Sequence, residues 1–240
     1  RFEQATTGNG QEWLRPVRQA AIARFAELGF PTPRDEDWRF TSVAPIAQTS
    51  FKRAEPSRIA LAPRDIEQFT VPGLKGVQLV FVNGRYAPTL SSPGSLSDGA
   101  TVSSLAQAFT DARTVLEQHL ARYADYARDG FTALNTAFME DGAFVHVPRG
   151  RVVETPVHLL YVSTATADPI VTHPRNLIVL EEDSQAVIIE DYVSLGAGVY
   201  FSNAITEAVV GQNGVLDHYL IERESHQAFN ISTLRVEQGR

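Results

Sequence analysis

Several histidine and glutamate side chains in the middle of the chain could hold a metal ion. The stretch DGAFVHVPRGRVVETPVHLLYV, residues 141–162, contains His146, Glu154 and His158, and His173 follows His146 by 27 residues. Imidazole and carboxylate groups are common ligands of zinc, iron and manganese. A shared site would require His146 and His173 to lie on neighbouring turns of a repeated fold.

Three features of the sequence argue against that metal site. His119 obeys the same 27-residue spacing although it falls in a predicted helix, so the spacing alone carries little weight. Nothing in the pattern places Glu154 or His158 on the same face as His146. A cupin-type site would need a His-x-His pair and a following Glu, whereas His146 is followed by Val and Pro. We therefore predict that this stretch begins a β-structure, with its histidines at surfaces or edges and with no metal bound.

Two acidic clusters, Glu181–Asp183 and Glu190–Asp191, suggest the paired carboxylates of glycoside hydrolysis. That reaction requires two carboxylates that face the same cleft. Neighbouring residues of a strand point to opposite faces. We therefore predict that both clusters lie at solvated corners of a β-structure.

Other catalytic signatures are missing from the sequence. Gly196-Ala197-Gly198 lacks the Gly, Lys and Ser/Thr of a phosphate-binding loop and predicts a turn. No Gly-x-Ser-x-Gly motif supplies a serine nucleophile. The 240 residues contain no cysteine, which excludes disulfides, thiolate metal ligands and a cysteine nucleophile within them. Trp13 and Trp38 lie beside apolar helix stripes, so we predict that they pack in the core rather than anchor a partner.

Composition limits the classes of protein to which the chain can belong. A hydrophobic share of 43% suits a globular protein, and a net charge of −7 with scattered basic pairs disfavours nucleic-acid binding. No apolar run reaches the roughly 18 residues that span a bilayer, and RFEQATTGNG lacks the apolar core of a secretory signal. We predict a cytoplasmic protein without a membrane partner. Because the sequence starts at Arg and ends at VEQGR inside a strand-and-turn pattern, we expect it to be part of a longer protein.

Residues 1–140 are predicted to form a mainly helical domain of α+β type. Pro16–Leu28 has the apolar period of an amphipathic helix and is followed by Gly29. GVQLVFVNGRYAP predicts a β-hairpin near residues 77–88, since Asn83-Gly84 between apolar runs favours a turn with positive φ.

Further short helices are expected on either side of the hairpin. PTPRDEDWRFTSVAPI predicts a short docked helix or turn, with Trp38 and Phe40 among its packing residues. Ser104 and Gln107 are spaced as a capping box for a long helix, whose apolar stripe extends from Leu105 to Tyr123. FTALNTAFM predicts one more short helix.

Residues 141–240 are predicted to form the first turns of a β-helix. Short β-branched runs such as NLIVL and AVIIEDYV recur between turn residues without a helical period. Asn176, Asn203 and Asn230 recur every 27 residues. A period of that length indicates a solenoid, in which like residues stack about 4.8 Å apart.

Some other residues obey the 27-residue spacing, and others do not. Tyr192 and Tyr219 also lie 27 residues apart, as do Gln185 and Gln212, whereas the turns Asp183-Ser184 and Asn213-Gly214 lie 30 apart. A β-sandwich built from similar short strands therefore stays open as an alternative to the solenoid.

Several blocks of the sequence, in the same order, resemble the SufB/SufD family. They are EDWRFT from Glu36, FVNGRYAPTLS from Phe81, FTALNTAFMEDGAFVHVPRGRVVETPVHLLYV from Phe131 and HPRNLIVLEEDSQAVIIEDYVS from His173. The EDWRFT block is similar to the SufD branch rather than to the SufB branch. The resemblance implies a helical N-terminal domain followed by a right-handed parallel β-helix, with the C-terminal part of the family fold missing.

The resemblance also implies a function. Family members of this branch are expected to be non-catalytic scaffold subunits of SUF iron–sulfur cluster assembly, which pair with a SufB-like paralogue and a SufC-like ATPase and which form a homodimer when alone. The cluster would be handled by the full complex, with no cofactor bound by this segment. Two other functions stay open at this point, a β-helical carbohydrate-active enzyme and a cupin-like metalloprotein.

Overall fold

The structure is a computed structural model that describes residues 11–55, 61–71, 73–74, 76–93, 96, 99–165 and 168–239. The helices are α1 Arg15–Leu28, α2 Ala44–Gln48, α3 Pro63–Ile66, α4 Leu105–Asp111, α5 Arg113–His119 and α6 Gly130–Phe138. The strands are β1 Lys52–Arg53, β2 Val77–Val82, β3 Arg85–Tyr86, β4 Thr101–Ser104, β5 Ala143–Val147, β6 Val157–Ser163, β7 Ile170–Thr172, β8 Arg175–Leu180, β9 Gln185–Ser194, β10 Tyr200–Val210, β11 Val215–Arg223 and β12 Ala228–Gln238.

The strands after residue 142 wind as a parallel β-solenoid of about 3 turns. Sheet 1 has the strand order β1-β7-β10-β8-β5-β4, with β12 also paired to β10, and sheet 2 has the order β11-β9-β6-β2-β3. Every pair formed among β5–β12 is parallel. The predicted β-helix is therefore confirmed, and the antiparallel β-sandwich is excluded.

The predicted 27-residue stacking of like residues is wrong. Asn176 pairs with Thr206, and Asn230 pairs with Ser202, so the three asparagines do not form a ladder. Gln185 likewise pairs with Val215 rather than with Gln212. Strand β10 lies 30 residues beyond β8, whereas β12 lies 28 beyond β10. The turns differ in length, so no fixed number of residues brings the chain back to the same place.

Alternate residues of the two sheets fill the interior of the solenoid. Val145 and Ile178 of sheet 1 face Leu159 and Ile188 of sheet 2, and all four are fully buried. Phe81, Tyr161 and Tyr192 occupy matching positions on β2, β6 and β9, with ring centroids 4.9 Å and 4.7 Å apart. We call these three rings the aromatic stack. Such offset contacts stabilise beyond the area that the rings bury.

The predicted hairpin is confirmed and also belongs to the solenoid sheets. Asn83 and Gly84 form its turn with φ values of 50° and 76°. Strand β2 pairs in parallel with β6, and β4 pairs antiparallel with β5. Each of the two sheets thus contains strands from both sides of residue 140, and the domain division at that residue stays a prediction.

The helical predictions are confirmed in position but differ in detail. Helices α1 and α6 match the predicted helices, and Ser104 caps α4 with Gln107 in a capping box. The prediction of a single long helix is wrong, because the chain leaves the helical conformation at Ala112. That break separates α4 from α5. Phe109 of α4 and Leu116 of α5 still pack in one apolar cluster.

Two residues of the N-terminal part lie where the sequence pattern did not place them. Phe40 is 93% exposed and is not a packing residue. Arg18 lies on the buried face of α1, where its Nη2 donates to the carbonyl oxygen of Met139 at 2.7 Å. Helices α1, α4, α5 and α6 form a helical layer against sheet 1. No helix in the described ranges is long and apolar enough to cross a membrane.

Candidate functional site

The three histidines considered above as metal ligands lie in different environments. His146 pairs in register with Val179, and its Nε2 lies 2.9 Å from Oε1 of Glu181. His173 stacks on Phe138, and its Nδ1 lies 3.3 Å from Nδ2 of Asn203. His158 is fully buried, so its predicted position at a surface or edge is wrong. Within the described ranges, no three His, Asp or Glu side chains are grouped as metal ligands.

The two acidic clusters differ in their exposure. Glu181–Asp183 lies at the corner between β8 and β9, as predicted, and Glu182 pairs there with Arg149 at 2.9 Å. The prediction for Glu190–Asp191 is wrong, because both residues lie within β9 and are buried. Their side chains point to opposite faces of sheet 2, which separates them into two polar clusters.

Glu190 lies inside the solenoid at the centre of the first cluster. Thr206 donates its hydroxyl to Oε1 of Glu190 at 2.5 Å, and Nε2 of His218 lies 2.9 Å from the same oxygen. The hydroxyl of Tyr192 donates to Oε2 at 2.9 Å. The carboxylate therefore has three side-chain donors, as a buried charged group requires.

A chain of hydrogen bonds extends this cluster across the interior. Asn176 donates from Nδ2 to the Thr206 hydroxyl at 3.0 Å, and Tyr161 donates to Oδ1 of Asn176 at 2.5 Å. Burial raises the pKa of Tyr161 and of Tyr192 well above the ordinary value, and the negative charge of Glu190 acts in the same direction. Both hydroxyls therefore stay protonated and serve as donors. The cluster links strands of both sheets.

Asp191 lies on the outer face of sheet 2, in the second cluster. Nε2 of His158 lies 3.1 Å from Oδ2 of Asp191, and Gln78 Nε2 lies 3.0 Å from Nδ1 of the same ring. Since Gln78 Nε2 can only donate, His158 carries its proton on Nε2 and donates it to Asp191. Arg223 binds Asp191 from β11 and donates to the carbonyl oxygen of Phe69 at 2.7 Å. The cluster fixes the segment around Phe69 against the solenoid.

Arg175 and Glu207 form a third cluster between sheet 1 and the helical layer. Both side chains have no exposed surface, and Arg175 Nη2 lies 2.8 Å from Oε2 of Glu207. Backbone N–H groups of Ala121, Tyr123 and Ala124 donate to the same carboxylate at 2.8, 2.7 and 2.9 Å. Burial acts to raise the pKa of Glu207, but Arg175 and these N–H groups outweigh it and hold the pKa below its ordinary value.

The same cluster reaches helix α6. Arg175 Nη1 donates to Oδ1 of Asn135 at 3.1 Å and to the Thr136 hydroxyl at 3.2 Å. Asn135 Nδ2 donates in turn to the carbonyl oxygens of Pro174 and Asn203, at 2.8 and 2.7 Å. The loop after α5 and helix α6 are thus fixed to the strands by directional bonds.

Asp141 joins the hairpin to the start of the solenoid. Its carboxylate accepts from the backbone N–H groups of Tyr86, Gly142 and Ala106, at 2.8, 2.9 and 3.1 Å. Burial raises the pKa of Asp141 in spite of these bonds. Asp141, the first residue of the stretch 141–162, therefore has a structural role that its sequence position did not reveal.

The remaining predicted features are structural as well. Gly196 has a φ of 111° in the bend after β9, which confirms the predicted turn. Trp13 packs against the apolar cluster of Leu116, and the ring of Trp38 lies 5.2 Å from that of Phe131. Both tryptophans thus pack in the fold, as predicted.

Sequence reasoning missed the residues that connect the parts of the fold, Arg175, Glu207 and Arg223. An isolated Arg or Glu in a β-branched run gives no signal of its partner, which here lies 32 residues away in both ion pairs. Each carboxylate of the three clusters is engaged by fixed donors. This arrangement is suited to holding the strands and the helical layer in a fixed geometry.

Comparisons with known proteins cover almost the whole chain. The SufBD protein N-terminal region matches residues 2–159, and the SufBD core domain of the SUF system for FeS cluster assembly matches residues 161–240. An iron–sulfur cluster assembly SufBD family protein of Synechocystis is 31% identical over 99% of this chain and 54% of its own length. The iron–sulfur cluster assembly proteins SufD of Escherichia coli and Bacillus subtilis are each 26% identical, over 88% and 89% of this chain and 46% and 49% of their own lengths. The chain spans about half the length of these curated relatives.

Proposed function

We propose, from the premise that this chain belongs to the SufB/SufD family of SUF iron–sulfur cluster assembly proteins, that it acts as a SufD-like, non-catalytic scaffold. The family match over both regions carries this proposal. Relatives named SufD support the SufD assignment. The parallel solenoid, braced by the three carboxylate clusters, supports a role as a stiff platform.

The scaffold would act with a SufB-like paralogue and a SufC-like ATPase. A platform that pairs with other subunits needs a surface of fixed shape. The buried clusters around Glu190, Asp191 and Glu207 hold the strands that form such a surface in place. Because the 240 residues contain no cysteine, this part of the protein cannot hold an iron–sulfur cluster through thiolates. In this proposal the cluster is the cargo of the full complex, and no cofactor is bound by residues 1–240.

Co-purification tests the proposal directly. The full-length protein carries an affinity tag and is expressed with the SufB and SufC homologues of its own organism, and an unrelated β-helical protein serves as control bait. We expect SufB and SufC to be recovered with this protein and not with the control. Recovery of neither subunit would refute the scaffold role. ATP hydrolysis should require SufC and be absent from preparations of this protein alone.

The two other functions suggested by the sequence find less support. In a carbohydrate-active enzyme, two carboxylates must share a cleft, whereas Glu190 and Asp191 are buried on opposite faces of sheet 2. Cupins are antiparallel jelly rolls, which the parallel pairing of β5–β12 excludes. Hydrolysis of a polysaccharide by the purified protein would instead support a carbohydrate-active enzyme.

The proposed setting is the cytoplasm, where SUF assembly would take place. Alone, the protein is proposed to form a homodimer, which light scattering after size-exclusion chromatography would detect as a doubled mass. Addition of the SufB homologue should then replace the homodimer by a mixed complex, because both would use the same surface of the scaffold.

A further inference from the structure

A cavity of about 330 Å³ lies between the N-terminal segment, helix α6 and sheet 1. Most of its lining is apolar and aromatic and includes Phe30, Phe51, Leu134, Phe138 and Phe201. Ligand sites of proteins have volumes of about 300–1,000 Å³ and are mostly apolar, with a few convergent polar groups. This cavity has the size and the lining of such a site.

Three polar side chains, Thr49, Arg53 and His173, lie in the lining of the cavity. Burial, reinforced by Arg53, lowers the pKa of His173 to about 3, so that its imidazole is neutral at pH 7. Burial also lowers the pKa of Arg53, and Arg85 acts in the same direction while Glu55 opposes it. A guanidinium nonetheless keeps its charge at pH 7. Among the described residues that line this cavity, Arg53 is therefore the charged group, and none of them is a carboxylate.

The partner of Arg53 is shared with a second arginine. Glu140 forms ion pairs with both Arg53 and Arg85, and Arg85 Nη2 lies 2.9 Å from its Oε2. Glu140 lines a small polar cavity that adjoins the apolar one and shares Arg53 and His173 with it. If Arg53 turned toward a ligand, Arg85 would still neutralise Glu140. Recruitment of Arg53 by a ligand would therefore leave Glu140 with the Arg85 guanidinium beside it.

We propose that this cavity binds a small amphipathic carboxylate, whose apolar body lies among the phenylalanine rings and whose carboxylate meets Arg53 and His173. Such a ligand would complement the cavity in two ways. Its anionic head would bind the guanidinium, and its apolar tail would displace water from the aromatic rings. This site is separate from the three carboxylate clusters and does not depend on the scaffold function.

Calorimetric titration of the purified protein with two carboxylates and their uncharged amides tests the site. The probes are 2-naphthoate with 2-naphthamide and decanoate with decanamide, which together distinguish an aromatic body from an aliphatic one. At least one carboxylate should bind more tightly than its amide. Arg53→Gln should weaken the carboxylate about 10–100-fold, as expected for a charged hydrogen bond of 1.5–3 kcal/mol, and leave the amide unchanged. Arg53→Lys keeps the charge, so its affinity for the carboxylate should lie between that of the wild type and that of Arg53→Gln.

A second variant tests the position of the ligand. Ala47 is exposed on α2 and lines the cavity, so Ala47→Trp should fill its mouth and abolish binding without disturbing the core. Ala44→Trp places the same ring at an exposed position of α2 outside the lining and should bind like the wild type. Near-UV circular dichroism would verify that each variant is folded. Equal binding of acid and amide, no binding of any probe, or unchanged binding by Ala47→Trp would each overturn the proposal.

Discussion

Asn213 lies directly beside Asp183 on the next turn of the solenoid, and its Nδ2 donates to Oδ1 of Asp183 at 2.9 Å. Both residues have positive φ, 57° and 56°, and each stands just before a strand of sheet 2. The two strands, β9 and β11, pair in parallel with a 30-residue offset. The pair thus marks equivalent corners of successive turns.

Substitution of Asn213 should separate the effect of the backbone from that of the hydrogen bond. Asn213→Ala should lower the free energy of unfolding by about 1–2 kcal/mol, because alanine is disfavoured at positive φ and the bond to Asp183 is lost. Asn213→Gly loses the same bond but accepts the backbone conformation, so it should cost less than about 1 kcal/mol. Urea unfolding monitored by circular dichroism measures both values. Equal stabilities of the two variants would contradict the role assigned to φ.

Removal of the Glu207 carboxylate should cause a large loss of stability. Glu207→Ala leaves the buried guanidinium of Arg175 without its anion, and breaking a buried pair in this way costs about 3–5 kcal/mol. Urea unfolding should show this loss, whereas Glu154→Ala, at an exposed glutamate, should lie within about 0.5 kcal/mol of the wild type. A Glu207→Ala variant as stable as the control would show that the cluster does not hold the helical layer to sheet 1.

Two tyrosines that are 27 residues apart should respond differently to loss of their hydroxyls. Tyr192 is buried and donates to Glu190, whereas Tyr219 is 56% exposed. Tyr192→Phe should reduce the free energy of unfolding by about 1–2 kcal/mol, since it removes a bond to a charged acceptor. Tyr219→Phe keeps the ring at a surface position and should change stability by less than about 0.5 kcal/mol. Similar losses in both variants would contradict the register of β9 and β11 described above.

The neutral state of His173 predicts a dependence of stability on pH. Its folded-state pKa of about 3 lies below the ordinary value near 6.5, so the unfolded chain binds a proton at higher pH than the folded chain does. The free energy of unfolding should therefore fall as the pH drops from about 6.5 toward 3, by about 1–2 kcal/mol between pH 7 and pH 5. Urea unfolding at a series of pH values would measure this dependence.

The matched variants isolate the contribution of that histidine. His173→Gln removes the titrating group beside Arg53 and Phe138, so its stability should vary less with pH than that of the wild type. His226→Gln, at an exposed position, should retain the wild-type dependence. Superimposable pH profiles for wild type and His173→Gln would show that other groups cause the loss at low pH.

Local chemistry made part of this fold predictable. The Asn83-Gly84 turn, the Ser104 cap and the strands after residue 142 each follow from residues that are close in sequence. The register was not predictable in the same way, because the number of residues per turn varies and Asn176 meets Thr206 rather than Asn203. The 30-residue spacing of Asp183 and Asn213 was the correct signal, since positive φ restricts which residues fit at a corner.

The buried polar residues could not be predicted from neighbouring residues. Glu190 and Asp191 have the composition of a solvated turn. In the fold, Thr206 of β10 and His218 of β11 contact the Glu190 carboxylate, whereas His158 of β6 and Arg223 of β11 contact that of Asp191. The cavity beside Arg53 likewise depends on four parts of the chain that are distant in sequence, residues 30–53, 134–138, 171–173 and 201. Both features depend on residues that are distant in sequence. A single sequence does not show how far apart those residues lie in the fold.

This protein has two separate intrinsic optical signals, one from the aromatic stack and one from its two tryptophans. Tyr161 and Tyr192 lie nearly parallel, with 13° between their ring planes, so their electronic transitions couple and contribute to near-ultraviolet dichroism when β6 and β9 are in register. Trp13 and Trp38 both lie in the N-terminal part, and their fluorescence reports on the packing of that part. The order in which the two halves of the chain assemble can therefore be followed in a single refolding experiment without attaching any label.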